Sequence, residues 1–249
     1  MRKLLVCILC LLLCGCGISE KQLEDNFDSL ITSIKSENAV ETTNKHRTYF
    51  DYFLPRNVGK RFSDEENAVF VLGNQQFYMN LDVTDLIVTE YYSPIFSYQQ
   101  TRLREIKKIG NVVINKSGEM LNSSQEMKKY NVVVTDLSEG EYLVYVQYGD
   151  VYFAALSPLA EVENLVYEMF KIGRSVKLEK QEILSAYSNK ETVIITQSYD
   201  LFEKVFPENG VVYDVLNPST NINAGDDAGD DIEMSDQIDE NDGSENSDE

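Results

Sequence analysis

Hydrophobic positions along the chain recur first at helical spacing, then at strand spacing, then again at helical spacing. Over residues 22–40, apolar side chains predict an amphipathic helix at Leu23, Phe27, Leu30, Ile31 and Ile34. From Ala68 onward, short runs rich in Val, Ile, Phe and Tyr predict strands. A second helical stripe follows at Leu159, Val162, Leu165, Val166, Met169 and Phe170. Because strands and helices do not alternate, we expect an α+β fold, with an antiparallel sheet and helices packed on one face.

The clearest strand signal is a hairpin over residues 142–156. Its two runs, 142–148 and 151–156, are separated by Gly149 and Asp150. A glycine at the first turn position suits a type II′ turn, which matches the twist of paired strands. Alternation places Tyr142, Val144, Val146 and Tyr148 on one face and Leu143, Tyr145 and Gln147 on the other.

The remaining predicted elements are weaker. Strands are expected at 68–72 and 76–79 around Gly73 and Asn74, and at 86–92, 112–114, 132–134, 192–196 and 211–216. Helices are expected from Ser157 and Pro158 to Gly173, at 178–187 and at 198–206, and residues 124–129 are helix-prone. Residues 42–61 are predicted to be an aromatic-rich connection, and 95–108 fit both a strand and a helix.

The first sixteen residues indicate that the domain is exported. A cationic start, Met1-Arg2-Lys3, precedes residues 4–14, which are mostly Leu, Ile, Val and Cys. That order is typical of a secretory signal peptide, and the apolar run is shorter than the about 20 residues that a membrane span needs. The segment Leu13-Cys14-Gly15-Cys16 resembles the lipobox of bacterial lipoproteins. The resemblance implies cleavage before Cys16 and a diacylglycerol on the Cys16 thiol.

Lipidation at Cys16 would also decide where the protein resides. Diacylglycerol supplies the two chains that stable anchoring requires. The resemblance therefore implies an exported protein anchored to the bacterial cell membrane, or to the outer membrane if the host has two. All four cysteines lie in this segment, at Cys7, Cys10, Cys14 and Cys16. The exported domain is accordingly expected to have no disulfide and no thiolate metal site.

Charge is distributed unevenly along the chain. The net charge is −20, and residues 224–249 contain twelve Asp or Glu and no Lys or Arg. Such a segment buries too little apolar surface to fold, so we expect it to be disordered. The body keeps thirty acidic and twenty basic residues, which makes nucleic acid an unsuitable partner. We predict a signal peptide at 1–15, a lipidated tether at 16–22, one α+β domain at 23–218 and an acidic tail at 219–249.

Catalytic chemistry has little support in the sequence. His46 is the only histidine, and it lies between Lys45 and Arg47, where we expect an exposed residue rather than a general base. Zinc has too few ligands, and neither Gly229 nor Gly243 gives an acidic calcium loop the right register. The compact carboxylate sets are Glu139 with Glu141, Glu161 with Glu163, and Asp64 with Glu65 and Glu66. We expect no enzymatic activity, no metal and no cofactor.

Tyrosines of the central hairpin are the candidate interaction surface: Tyr142, Tyr145, Tyr148 and Tyr152. Tyrosine is frequent in binding hot spots, but it is also a good strand former that packs in cores, so both interpretations stand. We expect a non-enzymatic lipoprotein that binds another protein of the envelope or of a secretion assembly. The alternatives are a solute- or glycan-binding lipoprotein and, with less support, a carboxylate-dependent envelope hydrolase.

Overall fold

The protein is described here by a computed structural model covering residues 18–91 and 98–187. Its strands are β1 (Lys45–His46), β2 (Phe50–Tyr52), β3 (Val58–Ser63), β4 (Asn67–Leu72), β5 (Gln75–Leu81), β6 (Asn111–Leu121), β7 (Met127–Asp136), β8 (Glu141–Tyr148), β9 (Val151–Pro158) and β10 (Lys177–Leu178). Its helices are α1 (Glu20–Ser36), α2 (Val83–Tyr91), α3 (Tyr98–Ile106), α4 (Val162–Gly173) and α5 (Lys180–Ala186), and a 3₁₀ turn spans Leu159–Glu161.

Seven strands form one antiparallel sheet in the order β3-β4-β5-β9-β8-β7-β6. A smaller sheet has the order β1-β2-β10. The α+β prediction is confirmed, and so are the two predicted hairpins, β4–β5 and β8–β9. Positive φ values of 59° at Gly73 and 55° at Gly149 explain why glycine opens both turns.

Helices α1 and α4 pack on one face of the large sheet. Ser19 caps α1 in a capping box with Gln22, so the helix begins inside the predicted tether. The buried side of α1 confirms the predicted stripe at Leu23, Phe27, Ile31 and Ile34, with Leu30 partly buried. In α4 the buried stripe includes Val162, Leu165, Val166, Met169 and Phe170. The two stripes meet in the main core against the sheet.

Helix α3 covers the opposite face of the sheet. It lies within residues 95–108, whose sequence pattern fits both a strand and a helix. Leu103 and Ile106 of this helix join a second cluster with Val133, Tyr145 and Tyr152. Sheet residues are therefore buried on both faces along β8, whose burial is continuous from Tyr142 to Tyr148. This explains why β8 is apolar or aromatic at nearly every position.

The predicted strand at 86–92 is wrong, because the segment belongs to α2. Asp82 precedes the helix, and its carboxylate accepts a hydrogen bond of 3.3 Å from the backbone N–H of Asp85. The carbonyl of Asp82 accepts a hydrogen bond of 3.0 Å from the backbone N–H of Leu86. This N-terminal cap outweighs the strand preference of the branched residues that follow.

The helix-prone interpretation of residues 124–129 is also wrong. β6 and β7 form one long hairpin, and the Asn122 side chain accepts from the backbone N–H groups of Ser124 and Glu126 at 2.9 and 2.8 Å. These hydrogen bonds form an Asx turn, which reverses the chain between β6 and β7 where the sequence pattern predicted a helix. Gln125 completes the reversal with a φ of 60°.

Two further boundaries differ from the prediction. The connection at 42–61 contains β1, β2 and the start of β3. Pro158 still belongs to β9, and α4 begins at Val162 after the 3₁₀ turn, since Pro158 keeps an extended ψ of 152°. The elements predicted at 192–196, 198–206 and 211–216, the signal peptide and the acidic tail lie outside the described residues. Within residues 18–91 and 98–187, no helix is long and apolar enough to cross a membrane.

Candidate functional site

The four tyrosines expected to form an interaction surface are core residues. Their exposed fractions are 8% for Tyr142, 0% for Tyr145, 3% for Tyr148 and 1% for Tyr152. The expected exposed face is therefore corrected: both faces of the hairpin are covered, one by α1 and α4 and the other by α3. Of the two interpretations of the sequence, the core interpretation holds.

On each face of the β8–β9 hairpin, the tyrosine side chains contact neighbouring residues of the core. Tyr142 donates to Glu20 Oε1 of α1 at 2.9 Å, and Tyr148 donates to the carbonyl of Met120 in β6 at 3.1 Å. On the other face, the rings of Tyr145 and Tyr152 stack with their centroids 5.9 Å apart. These contacts are structural, and they leave no tyrosine of this set available to a partner.

A buried ion pair lies beneath α3. Arg102 Nη1 is 2.8 Å from Asp82 Oδ2, and the two side chains are 3% and 1% exposed. The guanidinium also lies 4.1 Å from the centroid of the Tyr152 ring. Burial alone would lower the pKa of Arg102, but the adjacent Asp82 carboxylate and the two tyrosines raise it. The pair holds the start of α2 against α3 and has the character of a fold-stabilising contact.

Other residues considered from the sequence lie apart from one another. His46 is on β1, its side chain is 68% exposed, and its Nδ1 is 2.9 Å from Asp51 Oδ2. Among the carboxylate sets, burial raises the pKa of Glu66 to about 7, helped by the charges of Asp64 and Glu65. Cys16 lies outside the described residues. No group of three or more His, Cys, Asp or Glu side chains in the described part of the chain is placed to hold a metal ion.

A cavity of about 540 Å³ lies where the ends of several elements meet, and we call it the hairpin-end cavity. The tip of the β6–β7 hairpin, the β8–β9 turn, the end of α4, β10 and the start of α5 surround it. Its polar lining includes Asn122, Glu126, Lys128, Asp150, Lys177 and Lys180. Its volume falls in the range of about 300–1,000 Å³ that is usual for ligand sites.

Charges of both signs line this cavity. Lys128 Nζ is 3.0 Å from Glu126 Oε2, and Lys180 Nζ is 2.8 Å from Glu90 Oε2. Burial raises the pKa of Asp150, an effect that Lys128 opposes. The described lining contains no histidine or cysteine. The lining can therefore bind polar or charged groups.

An exposed apolar pair lies beside the cavity, at the tip of the β6–β7 hairpin. Leu121 and Met127 face each other across the strands and are 40% and 59% exposed. We call these two residues, with the surrounding polar side chains Lys35, Glu119, Asn122 and Gln125, the hairpin-tip surface. Asn122 lines both this surface and the cavity, so the two are continuous.

Arg174 fixes the hairpin-tip surface to the rest of the domain. Its guanidinium donates to the carbonyls of Leu121, Ile34 and Glu37, at 3.0, 2.5 and 2.8 Å. Its own carbonyl accepts from Ser123 N at 2.8 Å. Because charge-assisted hydrogen bonds are stronger than neutral ones, this single side chain joins α1, α4 and β6 firmly.

Neither the hairpin-tip surface nor the hairpin-end cavity is apparent from the sequence pattern. Their residues are distant in sequence, and the folding of the β6–β7 hairpin against α1, α4 and the β8–β9 turn brings them together. The available signal was the pairing of Leu121 with Met127 around Asn122, but a helix-prone interpretation of 124–129 separated them. Lys177 and Lys180 gave no pattern at all, since each is an isolated lysine in a polar stretch.

Comparisons with known proteins add little. No protein-family model matches the chain, and no curated protein matches it. Among solved structures, it is similar to a crystal structure of a protein from Bacteroides thetaiotaomicron VPI-5482. The TM-score is 0.24 and the sequence identity 11%, over 75% of this chain and 81% of that chain. A likeness at this level supports no argument about fold or function.

Proposed function

We propose that this chain is a membrane-anchored, extracytoplasmic lipoprotein whose domain is a non-enzymatic module that binds another protein of the cell envelope or of a secretion assembly. The lipobox-like segment ending at Cys16 supports the anchor. The amide and charged side chains that line the hairpin-end cavity are groups suited to binding.

The hairpin-tip surface is the observation that carries the interaction proposal. Exposed Leu121 and Met127 form an apolar centre, and charged and amide side chains surround it. An apolar centre with a polar rim is the usual arrangement of a protein interface. Arg174 holds this surface in place before binding, so little conformational entropy is lost when a partner docks.

The anchor is tested by Cys16→Ser, with Cys14→Ser as the matched control. Cys16→Ser should abolish incorporation of a labelled fatty acid and leave an uncleaved precursor in a bacterial host that processes lipoproteins. Cys14→Ser should be labelled and cleaved like the wild type. A Cys16→Ser protein that is still labelled and cleaved would show that the anchor assignment is wrong.

The interaction is tested by crosslinking in intact cells, followed by mass spectrometry of proteins that copurify with the tagged chain. A double substitution, Leu121→Ser with Met127→Ser, should reduce the crosslinked partner about tenfold, as expected when hot-spot side chains are removed. Phe62→Ser is the control, because Phe62 is 47% exposed but lies on β3, at the other edge of the large sheet. Equal loss in both variants, or no partner above background, would contradict the proposal.

The second candidate function, solute or glycan binding, is favoured by the volume of the hairpin-end cavity alone. A panel of charged solutes and glycans should then raise the melting temperature of the protein. Lys128→Gln should remove that shift, whereas Lys129→Gln, on the neighbouring exposed residue, should keep it. A solute-dependent shift together with unchanged protein crosslinks in Lys128→Gln would assign the two functions to separate surfaces.

A further inference from the structure

Four basic residues belong to the β3 edge of the large sheet or to the β1–β2 hairpin beside it: Lys45, Arg47, Lys60 and Arg61. We call them the cationic edge. Lys45 belongs to β1, and Lys60 and Arg61 belong to β3. Arg47 donates a hydrogen bond to Ser63 Oγ, which joins the β1–β2 hairpin to β3. Partial burial lowers the pKa of Lys60, and the charges of Arg47 and Lys45 lower it further, so Lys60, Arg47 and Lys45 lie within electrostatic range of one another, and Arg61 follows Lys60 on the same strand.

The carboxylates of the turn that follows β3, at Asp64, Glu65 and Glu66, form no ion pair with these cations within the described residues. In the described part of the chain, none of the four side chains forms an ion pair. Asp51, the acid nearest in sequence to Arg47, is paired with His46 at 2.9 Å. A cluster of cations without ion-pair partners attracts an anionic segment of the same chain, whose net charge is −20.

We propose that the cationic edge is the docking site of the chain's own acidic segment, residues 224–249. That segment contains twelve carboxylates and no basic residue. The described chain ends close to the edge, because the Tyr187 ring lies 5.8 Å from that of Tyr49 and its hydroxyl donates to Glu66. Tyr49 follows Arg47 closely in sequence, and Glu66 lies in the turn that follows β3.

The connection between Tyr187 and the acidic segment is long enough for docking. Residues 188–223 can span up to about 120 Å when extended, so their length does not limit the contact. Because both partners are in one chain, the local concentration of the segment is about millimolar, and individually weak ion pairs suffice. The docked segment covers the outer side of β3, whose backbone has a strand neighbour only on the β4 side.

An anionic lipid surface is the other occupant to consider, and the position of the edge argues against it. The argument against a lipid surface rests on the proposed anchor at Cys16, which is close in sequence to Glu20 and would place the membrane near the start of α1. Glu20 contacts Tyr142 of β8, and Asp28 of α1 is 2.8 Å from Lys116 of β6. β3 and β6 are opposite edges of the sheet, separated by six strand spacings or about 29 Å.

The test is zero-length carbodiimide crosslinking of the full-length protein in neutral detergent, at 20 mM and at 500 mM NaCl. Mass spectrometry of the monomer band should find Lys45 and Lys60 linked to carboxylates in residues 224–249 at low salt. High salt should reduce these links several-fold, because ions screen exposed charges. Links found only in a dimer band would mean that the tail of a second copy is the occupant, and would overturn the proposal.

Matched variants separate a specific site from general attraction. Lys60→Gln with Arg61→Gln should lower the yield of tail links to Lys45 about fivefold, as expected when two of four surface cations are lost. Lys107→Gln with Arg104→Gln makes the same change of charge on exposed residues of and after α3, and should leave those links unchanged. Equal losses in both variants, or tail links spread evenly over all exposed lysines, would contradict a specific docking site.

A third variant tests the occupant without altering the described domain. Its twelve acidic tail residues are replaced by the corresponding amides. Binding to vesicles of equal parts phosphatidylglycerol and phosphatidylethanolamine is then measured by flotation. With the tail docked, the amide variant should bind these vesicles more tightly than the wild type, and Lys60→Gln with Arg61→Gln should cancel the gain. Equal vesicle binding by the wild type and the amide variant would show that the tail does not cover the edge.

Discussion

Glu66 is the side chain whose protonation most directly links the structure to pH. It lies in the turn between β3 and β4, where burial, Asp64 and Glu65 raise its pKa from 4.5 to about 7. Between these two values the folded state holds a proton that the unfolded state releases. The free energy of unfolding therefore falls as the pH rises from about 4.5 to about 7, and this contribution stays lost at higher pH.

Glu66→Gln should remove this part of the pH dependence. The variant keeps an uncharged side chain at every pH, so we expect it to be more stable than the wild type at pH 8 by up to about 3 kcal/mol. At pH 4 the two proteins should be nearly equal. Urea denaturation at pH 4, 6 and 8 measures the difference, with Glu139→Gln in an exposed turn as the control. Parallel pH curves for Glu66→Gln and the wild type would contradict the assignment.

Arg102 and Asp82 form a buried ion pair beneath α3. Arg102→Leu leaves the Asp82 carboxylate buried without its cation, and we expect a loss of about 3–5 kcal/mol in the free energy of unfolding. Adding Asp82→Asn should restore part of the loss, because the amide removes the buried charge and can still cap α2. Arg104→Leu, on the exposed side of the same helix, is the control for urea denaturation. A cost for Arg102→Leu as small as that of Arg104→Leu would show that the pair is not desolvated in solution.

At the scale of elements, the sequence pattern predicted the helices and turns that are stabilised by contacts between residues close in sequence. The stripes of α1 and α4 and the glycine turns of β4–β5 and β8–β9 were identified because their periodicity and turn chemistry lie within a few residues. Helix α2 was missed because the Asp82 cap outweighs the strand preference of Ile87 and Val88. The long β6–β7 hairpin was missed because polar residues fill much of it, and its pairing depends on the Asn122 turn rather than on apolar alternation.

Close contact between α3, β6 and β7 depends on Gly110. A Cβ at this position would lie 2.2 Å from the carbonyl oxygen of Asp136 and 3.1 Å from Thr135 Cγ2. Gly110→Ala should therefore push the α3–β6 connection away from β7 and cost about 1–3 kcal/mol of stability. Gly59→Ala is the matched control, since its Cβ would meet nothing closer than 3.7 Å. Thermal and urea unfolding compare the two, and equal stability would refute the close approach at Gly110.

At the scale of the whole molecule, the candidate site was less predictable than the fold. The tyrosines of 142–152 could be identified as a set, but their exposure depends on α3, which packs on them from a segment of ambiguous pattern. The hairpin-tip surface and the hairpin-end cavity combine residues from both ends of the described chain, including Lys35, Asn122 and Lys180. These residues come together through contacts between elements that are distant in sequence. Patterns within a few residues of each other therefore could not predict the site.

The same topology predicts how the domain opens. Strands β7, β8 and β9 have strand neighbours on both sides and buried residues on both faces, whereas β3 is an edge and β1 and β2 belong to a small sheet. Opening the centre requires exposing both clusters of the core, so its amides should exchange only through near-global unfolding. Hydrogen exchange followed by mass spectrometry should find peptides from 143–155 at least about tenfold slower than peptides from 45–63. Peptides from α1 should be protected as well, because its capped helix is part of the main core, and exchange of β8 as fast as β3 would mean that the seven strands do not unfold as one unit.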